Sequence, residues 1–221
     1  MNILIVGANG QVAKQLVHKM KDEGKHNPIA MVRREDQIEQ FNSIGVETRL
    51  IDLMDNQQTI EDGLNNIDSI VFSAGSGGHT GADQTMFIDL DGAIKVIEAA
   101  KSKNIKRFIM VSSFDTTRQA IEEAPESFRP YVIAKHYADI WLRGSGLDYT
   151  IVHPGKLEDT PSTGKVKLAE QVELGSISRE AVADALLQVI YNESTIGKEF
   201  QIIDGDEAVS YTHLTLPTSD L

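Results

Sequence analysis

The first sixteen residues, MNILIVGANGQVAKQL, limit the possible fold more than any other stretch of the chain. Residues 2–6 carry an unbroken apolar run, Ile3 to Val6, as expected of a strand buried on both faces in a parallel sheet. Gly7, Gly10 and Ala13 follow at the spacing G-x-x-G-x-x-A. The first glycine lets the chain turn tightly out of the strand. The second lets backbone N–H groups approach a pyrophosphate, and the small Ala13 lets the next helix pack close to the strand. The phosphates would lie on the helix N-terminus, where free N–H groups and the helix dipole favour an anion.

Strand and helix alternate after this turn. Val12, Leu16, Val17 and Met20 fall at helical spacing and predict a helix over 11–23, stopped by Gly24. Further strands are predicted at 28–32, 46–51, 68–73, 105–111 and 148–152. Helices are predicted at 35–44, 59–64, 82–103 and 131–143, the last with Pro130 at its entry. This order implies an α/β fold, a doubly wound parallel sheet with helices on both faces. Beyond Gly155 the pattern loosens into a short strand at 165–169, a helix at 179–191 capped by Ser178, and a last strand at 199–203. That segment, 156–208, is too short to fold alone. It is expected to lie on the C-terminal edge of the sheet and cover the substrate cleft, so that 1–208 form a single domain. Residues 209–218, VSYTHLTLPT, break the pattern and resemble the in-frame translation of a transposon-type sequencing adapter. Residues 209–221 are therefore expected to be a non-native tail.

Composition narrows the function classes. The chain has no cysteine, which excludes disulfides and cysteine-bearing metal sites. The histidines are scattered and no pair has the spacing H-x-x-x-H, so no metal site is expected. A net charge of −12 argues against nucleic acid, whose phosphates demand a basic face. Nothing reads as a membrane span or signal peptide, and a cytoplasmic protein with a small-molecule substrate is expected, as a monomer or small homo-oligomer.

Ligands of open α/β sheets bind at the carboxyl ends of the strands. The second strand delivers Arg33 and Arg34 there. An acidic residue near this place would hold the ribose 2′-OH of NAD, whereas Arg33 is a planar cation suited to a 2′-phosphate, which favours NADP. The third strand delivers Asp52 and Leu53, placed to flank an adenine ring. The fourth runs into a small-residue loop, 74–78, where a cofactor can lie against the backbone of Ala74 and Gly75. The fifth ends at Ser112 and Ser113, and the following helix opens with Tyr131 and Lys135, which share a helix face. An ammonium beside a phenol favours the tyrosinate and is expected to lower its pKa. Such a tyrosine can pass a proton to or from a substrate oxygen while hydride moves, with a serine hydroxyl holding that oxygen. The serines lack a G-x-S-x-G elbow, so a hydrolase is not expected.

Together these residues resemble an atypical short-chain dehydrogenase/reductase, of the NAD(P)H-binding subgroup whose members are called NAD(P)-dependent epimerases or oxidoreductases. The likeness rests on VGANGQVA at 6–13, VRR at 32–34, DL at 52–53, DG at 91–92, VSS at 111–113, YVIAK at 131–135 and VHPG at 152–155. It implies a Rossmann-type fold. It implies NADP binding by Gly7, Asn9, Gly10, Gln11 and Val12, with Arg33 on the 2′-phosphate. Arg34, Asp52, Leu53, Ala74, Gly75, Pro154 and Gly155 are then cofactor contacts. It implies Tyr131 as acid/base, Lys135 on the nicotinamide ribose, and Ser113 or Ser112 as orienter. The serine pair lies nearer in sequence to Tyr131 than in long-form members. The segment after Gly155 is shorter than the substrate domain of sugar-nucleotide epimerases, which argues against a bulky nucleotide-sugar. The expected function is an NADP-dependent reductase or dehydrogenase of a small carbonyl or alcohol. The alternatives are an NADP(H)-sensing regulatory protein without turnover, and an NAD(P)-dependent epimerase or isomerase.

Overall fold

The computed structural model describes residues 1–77 and 80–209. A nine-stranded sheet runs through it in the order β3-β2-β1-β4-β5-β6-β10-β8-β11. Its strands are β1 (Asn2–Val6), β2 (Asn27–Val32), β3 (Glu47–Leu50), β4 (Ser69–Phe72), β5 (Arg107–Val111), β6 (Asp148–Pro154), β8 (Lys165–Ala169), β10 (Lys198–Asp204) and β11 (Glu207–Ala208). Pairing is parallel from β3 through to β10, and antiparallel only where β8 meets β10 and β11. This is the Rossmann-type sheet the sequence predicts. The strand order reverses between β1 and β4, which opens a crevice at their carboxyl ends.

The alternation in β1 shows why helices cover both faces. Ile3 and Ile5 pack on one side with Val12, Leu16 and Met20 of α1 (Gln11–Glu23) and with Val182 and Leu186 of α8 (Arg179–Tyr191). Leu4 and Val6 pack on the other with Ile60 of α3 (Gln57–Gly63), Val96 and Ile97 of α5 (Ala93–Ser102), and Leu142 of α7 (Arg129–Arg143). Both sets are fully buried, so β1 cannot tolerate a polar residue on either face. Local signals stop and start the helices. Gly24 is left-handed at φ +65° and its N–H donates to the Met20 carbonyl. The Ser178 hydroxyl accepts the Ala181 N–H at 3.0 Å and starts α8.

Several elements differ from expectation. The helix predicted over 35–44 is a 3-10 turn, Glu35–Gln37, followed by the short α2 (Glu39–Asn42). The reason is Gln37, whose buried side chain turns back to accept the N–H groups of Arg33 and Arg34. The long helix predicted at 82–103 is continuous but not uniform. It comprises α4 (Ala82–Thr85), a π-helical turn (Met86–Gly92) and then α5. The helix α6 (Arg118–Glu123) was not anticipated; it is one polar turn and a half, capped by the Thr117 hydroxyl. The C-terminal segment mostly extends the sheet through β10 and β8 instead of lying over it. Its strands β7 (Lys156–Glu158) and β9 (Ser176–Ser178) form a separate two-stranded pair near the site. Of the tail expected to be non-native, Val209 is buried and its N–H donates to the Gly164 carbonyl at 2.9 Å. The rest, including His213, lies outside the described residues, as do Gly78 and His79. Among the described residues no helix is long and apolar enough to cross a membrane.

Candidate functional site

The glycine turn brings β1 against the loop after β4. Gly7 has φ +78°, and a Cβ there would stand 2.6 Å from the Cα of Ala74. The Gly10 N–H donates to the Gly7 carbonyl at 2.8 Å and closes the turn. No side chain caps the start of α1 and no acid lies in its first turn. The leading N–H groups of the helix are therefore left for an external anion. Asn9 is held by Gln40, whose Nε2 donates to its Oδ1 at 2.8 Å.

A cleft of about 260 Å³ opens beside the turn. Gly7, Asn9 and Gly10 line one end, Arg33, Asp52 and Leu53 the other, and Ala74 and Gly75 the side between. The two arginines part company here. Arg34 is clamped to Asp36 by Nε at 2.9 Å and a terminal nitrogen at 3.1 Å, and is not in the cleft wall. Arg33 is exposed and makes no ion pair among the described residues. The Asp52 carboxylate accepts the Met54 N–H, which shapes the turn carrying Leu53. Leu53 packs onto Gly92, where an added Cβ would stand 3.0 Å from the Cβ of Leu53. Free helix N–H groups, a nearby unpaired cation and a slot walled by Leu53 and Ile88 suit phosphates and an adenine ring, so these residues fit a dinucleotide.

A second cavity of about 190 Å³ adjoins the first and shares Gly10, Ser73, Ala74 and Gly75 with it. Gln11 and Val12 form its near wall, and Ser112, Tyr131, Lys135 and Pro154 its far one. Leu157 and Arg179 close it from the C-terminal segment, which is the extent to which that segment covers the site. Gly155 is not in either wall. A Cβ there would strike the Gly175 carbonyl, so its small size serves the packing between the strand ends.

Lys135 is buried, with its ammonium 5.7 Å from the Tyr131 ring centroid and 3.2 Å from Oδ1 of Asp89. Asp89 is completely buried, and its other oxygen accepts the Ser76 N–H at 3.0 Å. The π-helical turn presents this carboxylate. Such turns frequently interrupt helices at functional sites. Sequence reasoning missed Asp89. The available signal was an acid flanked by Ile88 and Leu90 on a helix with an apolar inner face.

The expected drop in the tyrosine pKa is overturned. Burial pushes the Tyr131 phenol up, and the carboxylates of Asp89 and Asp139 add to that; Lys135 and, more weakly, the nearby Ser113 hydroxyl pull the other way without prevailing. Burial disfavours the Lys135 ammonium, but Tyr131, Asp89 and Asp139 together hold it above the ordinary lysine value.

The serines also separate. The Ser112 hydroxyl donates to Oδ2 of Asp139 at 2.8 Å, beside a second donation from Thr116 at 2.8 Å. Its proton is committed to a buried carboxylate, although Ser112 lines the second cavity; Ser113 lines neither cavity, and its hydroxyl is near enough to the phenol to favour the tyrosinate. The Ser113 carbonyl accepts Nδ1 of His153 at 2.6 Å, and the far nitrogen of that ring lies 3.3 Å from Glu199. Burial disfavours the His153 imidazolium, but Glu199 and Asp139 raise it above the ordinary histidine value. The Glu199 carboxyl, held by His153 and then Arg143, is pulled down to about 2. Beyond the 114–118 loop lies a wider cleft of about 1050 Å³, walled by His136, Arg143, His153 and Glu199, which shares no residue with the other two.

Residues 7–193 match the NAD(P)H-binding family. The chain is 41% identical over 210 residues to a Bacillus subtilis protein named as the uncharacterized sugar epimerase YhfK, covering 95% of this chain and 97% of that one. A solved structure from Bacillus halodurans, named as a candidate NAD-dependent epimerase/dehydratase, is 42% identical, covers 95% of this chain and 97% of its own, and superposes with a TM-score of 0.88. The oxidoreductase ylbE from Lactococcus lactis is 29% identical, with 95% and 94% covered and a TM-score of 0.85. The chain belongs to the NAD(P)H-binding family.

Proposed function

We propose that the protein is an NADP-dependent oxidoreductase that acts on a small carbonyl or alcohol, with Tyr131 as the acid/base. The observation that carries this reading is the continuity of the two cavities. The phosphate turn and the Tyr131–Lys135 pair open onto one slot through Gly10, Ala74 and Gly75. Gly10, Gln11 and Val12 hold the pyrophosphate at the helix N-terminus. Arg33 answers a 2′-phosphate, since it is the arginine left unpaired at the cleft wall. The bound nicotinamide supplies or accepts a hydride. Tyr131 gives or takes the proton at the substrate oxygen, Ser113 orients that oxygen, and Lys135 holds the nicotinamide ribose. A cavity of about 190 Å³ suits a small substrate rather than a nucleotide-sugar.

The test is NADPH oxidation against a panel of aldehydes, ketones, quinones and flavins, with cofactor affinity measured alongside. Turnover by the native chain, abolished in Tyr131→Phe at unchanged NADPH affinity, is the expected result. NADPH binding without turnover on any panel member would make the chain a sensor of the cofactor. The names of the Bacillus relatives favour a second reading, an epimerase, in which hydride leaves and returns to one substrate. Conversion of a sugar with no net change in cofactor absorbance would establish it.

A further inference from the structure

Asp89 and Lys135 form a buried ion pair directly behind the proposed acid/base. Their side chains are 0% and 3% exposed, and 3.2 Å separates Nζ from Oδ1. Such a pair is a poor source of stability, because desolvation of both charges offsets their attraction. Its effect on a neighbouring group is large, because little solvent screens it. Gly75 leaves room for it: a Cβ there would stand 3.1 Å from Oδ1 of Asp89. The second oxygen takes the Ser76 N–H, so one carboxylate touches both the lysine and the loop walling the cofactor slot.

The groups around Tyr131 come from every neighbouring element. Its own helix supplies Lys135 and Asp139, the π-helical turn Asp89, and the loop after β5 the nearby Ser113 hydroxyl. Across the cavity α8 supplies Arg179, which is paired to Asp159 at 2.8 Å, while His153 of β6 faces Asp139 and Glu199. The buried Lys135 ammonium thus touches the buried Asp89 carboxylate and lies 5.7 Å from the Tyr131 ring centroid. With Asp89 charged the Lys135 ammonium is paired, and without it that ammonium acts on the phenol with no carboxylate in contact.

We propose that Asp89 is a positioning residue which cancels the pull of Lys135 on Tyr131 and so sets the site to donate a proton, favouring carbonyl reduction over alcohol oxidation at neutral pH. This rests on the acid/base reading of Tyr131. In the favoured direction the carbonyl carbon takes a hydride, with its electron pair, from a reduced nicotinamide. The carbonyl π pair becomes a lone pair on oxygen, and that oxygen takes the Tyr131 proton. The phenol O–H bond breaks, and the tyrosinate left behind regains a proton from solvent. The reverse direction needs a tyrosinate at the start, which a neutralised lysine does not favour.

Asp89→Asn separates charge from hydrogen bonding, since the amide oxygen still accepts from Ser76. The readout is the ultraviolet titration of tyrosinate in the cofactor-free chain, taken as a difference against Tyr131→Phe in the same background. The expected result is a Tyr131 midpoint lower by about one pH unit or more in Asp89→Asn, with NADPH affinity within about threefold of native. Asp89→Glu keeps the charge and is expected to titrate like the native chain. An unchanged or raised midpoint in Asp89→Asn, or an equal shift in Asp89→Glu, overturns the proposal. Lys135→Met gives an independent check: it is expected to raise the midpoint, and no change there also overturns it. Because the titration needs no turnover, it reads Asp89 even if the substrate panel finds no activity.

Discussion

Gly7 meets Ala74 so closely that a Cβ on the glycine would stand 2.6 Å from the Ala74 Cα, at a backbone φ of +78°. Gly7→Ala therefore imposes two penalties. The left-handed backbone costs about 1 kcal/mol or more for any L-residue, and the overlap with main-chain atoms adds to it because Ala74 cannot swing aside. Gly24 isolates the first penalty: it is left-handed at +65° with open space around its Cβ position. Urea denaturation should show Gly24→Ala losing about 1 kcal/mol with NADPH binding intact. Gly7→Ala should lose more and bind NADPH at least about tenfold more weakly.

Arg33 and Arg34 should behave oppositely despite being neighbours. Arg34 is engaged by Asp36, and only Arg33 lines the cleft. A charge-assisted contact to a phosphate is worth about 1.5–3 kcal/mol, so Arg33→Ala should weaken NADPH by roughly ten- to a hundredfold and leave NADH nearly unchanged. Arg34→Ala should move neither by more than about threefold. Fluorescence titration with both cofactors reads this; equal losses for NADPH and NADH would refute the 2′-phosphate role of Arg33.

What could be read in the sequence follows from burial. Strands β1, β2, β4 and β5 are covered on both faces and so appear as continuous apolar runs. Helices α1 and α8 carry their apolar face and caps in their own residues, and their bounds match those expected. Strands β7, β9 and β11 have two or three residues each, too few to show a period, and exist through pairing with distant chain. The 35–44 helix failed because the polar side chain of Gln37 is turned inward to the backbone of the arginine pair. The glycine turn beside the cleft was visible for the same reason as β1: its spacing is local. Asp89 was not, because its meaning depends on Lys135, which arrives on a different helix, and on a π-helical turn that changes which side chains face inward.

The serine pair divides structure from chemistry. Ser112 donates a hydrogen bond to the buried Asp139, whose other oxygen has no hydrogen-bond partner among the described residues. Removing that donor leaves a buried carboxylate with Thr116 as its remaining hydroxyl donor, at a cost of about 1–3 kcal/mol. Ser112→Ala should therefore lower the urea midpoint. Ser113→Ala should leave stability nearly unchanged and depress kcat, because its hydroxyl favours the tyrosinate and is not committed to Asp139. The reverse pattern, a stable Ser112→Ala with poor turnover, would return the orienting role to Ser112.

His153 and Glu199 tie the end of β6 to β10 through a 3.3 Å contact, and Arg143 adds a bond of 2.8 Å to the same oxygen. The two groups shift in opposite directions, and each sets one limit of a pH window. Glu199 is depressed from 4.5 to about 2 when folded. Its stabilisation is complete above the unfolded value and is lost as pH falls towards about 2. His153 is raised above 6.5 when folded. Its stabilisation is complete below that value and is lost as pH rises through the folded pKa. The stability gap between the native chain and Glu199→Gln should thus be widest between about pH 5 and 6 and narrow on both sides. Glu199 is partly exposed, so added salt should shrink the gap without moving the window. Urea denaturation of both chains across the pH range reads the gap directly. A gap that stays level from about pH 6 through neutrality and above would mean that His153 is neutral in the fold and that Arg143 alone holds Glu199.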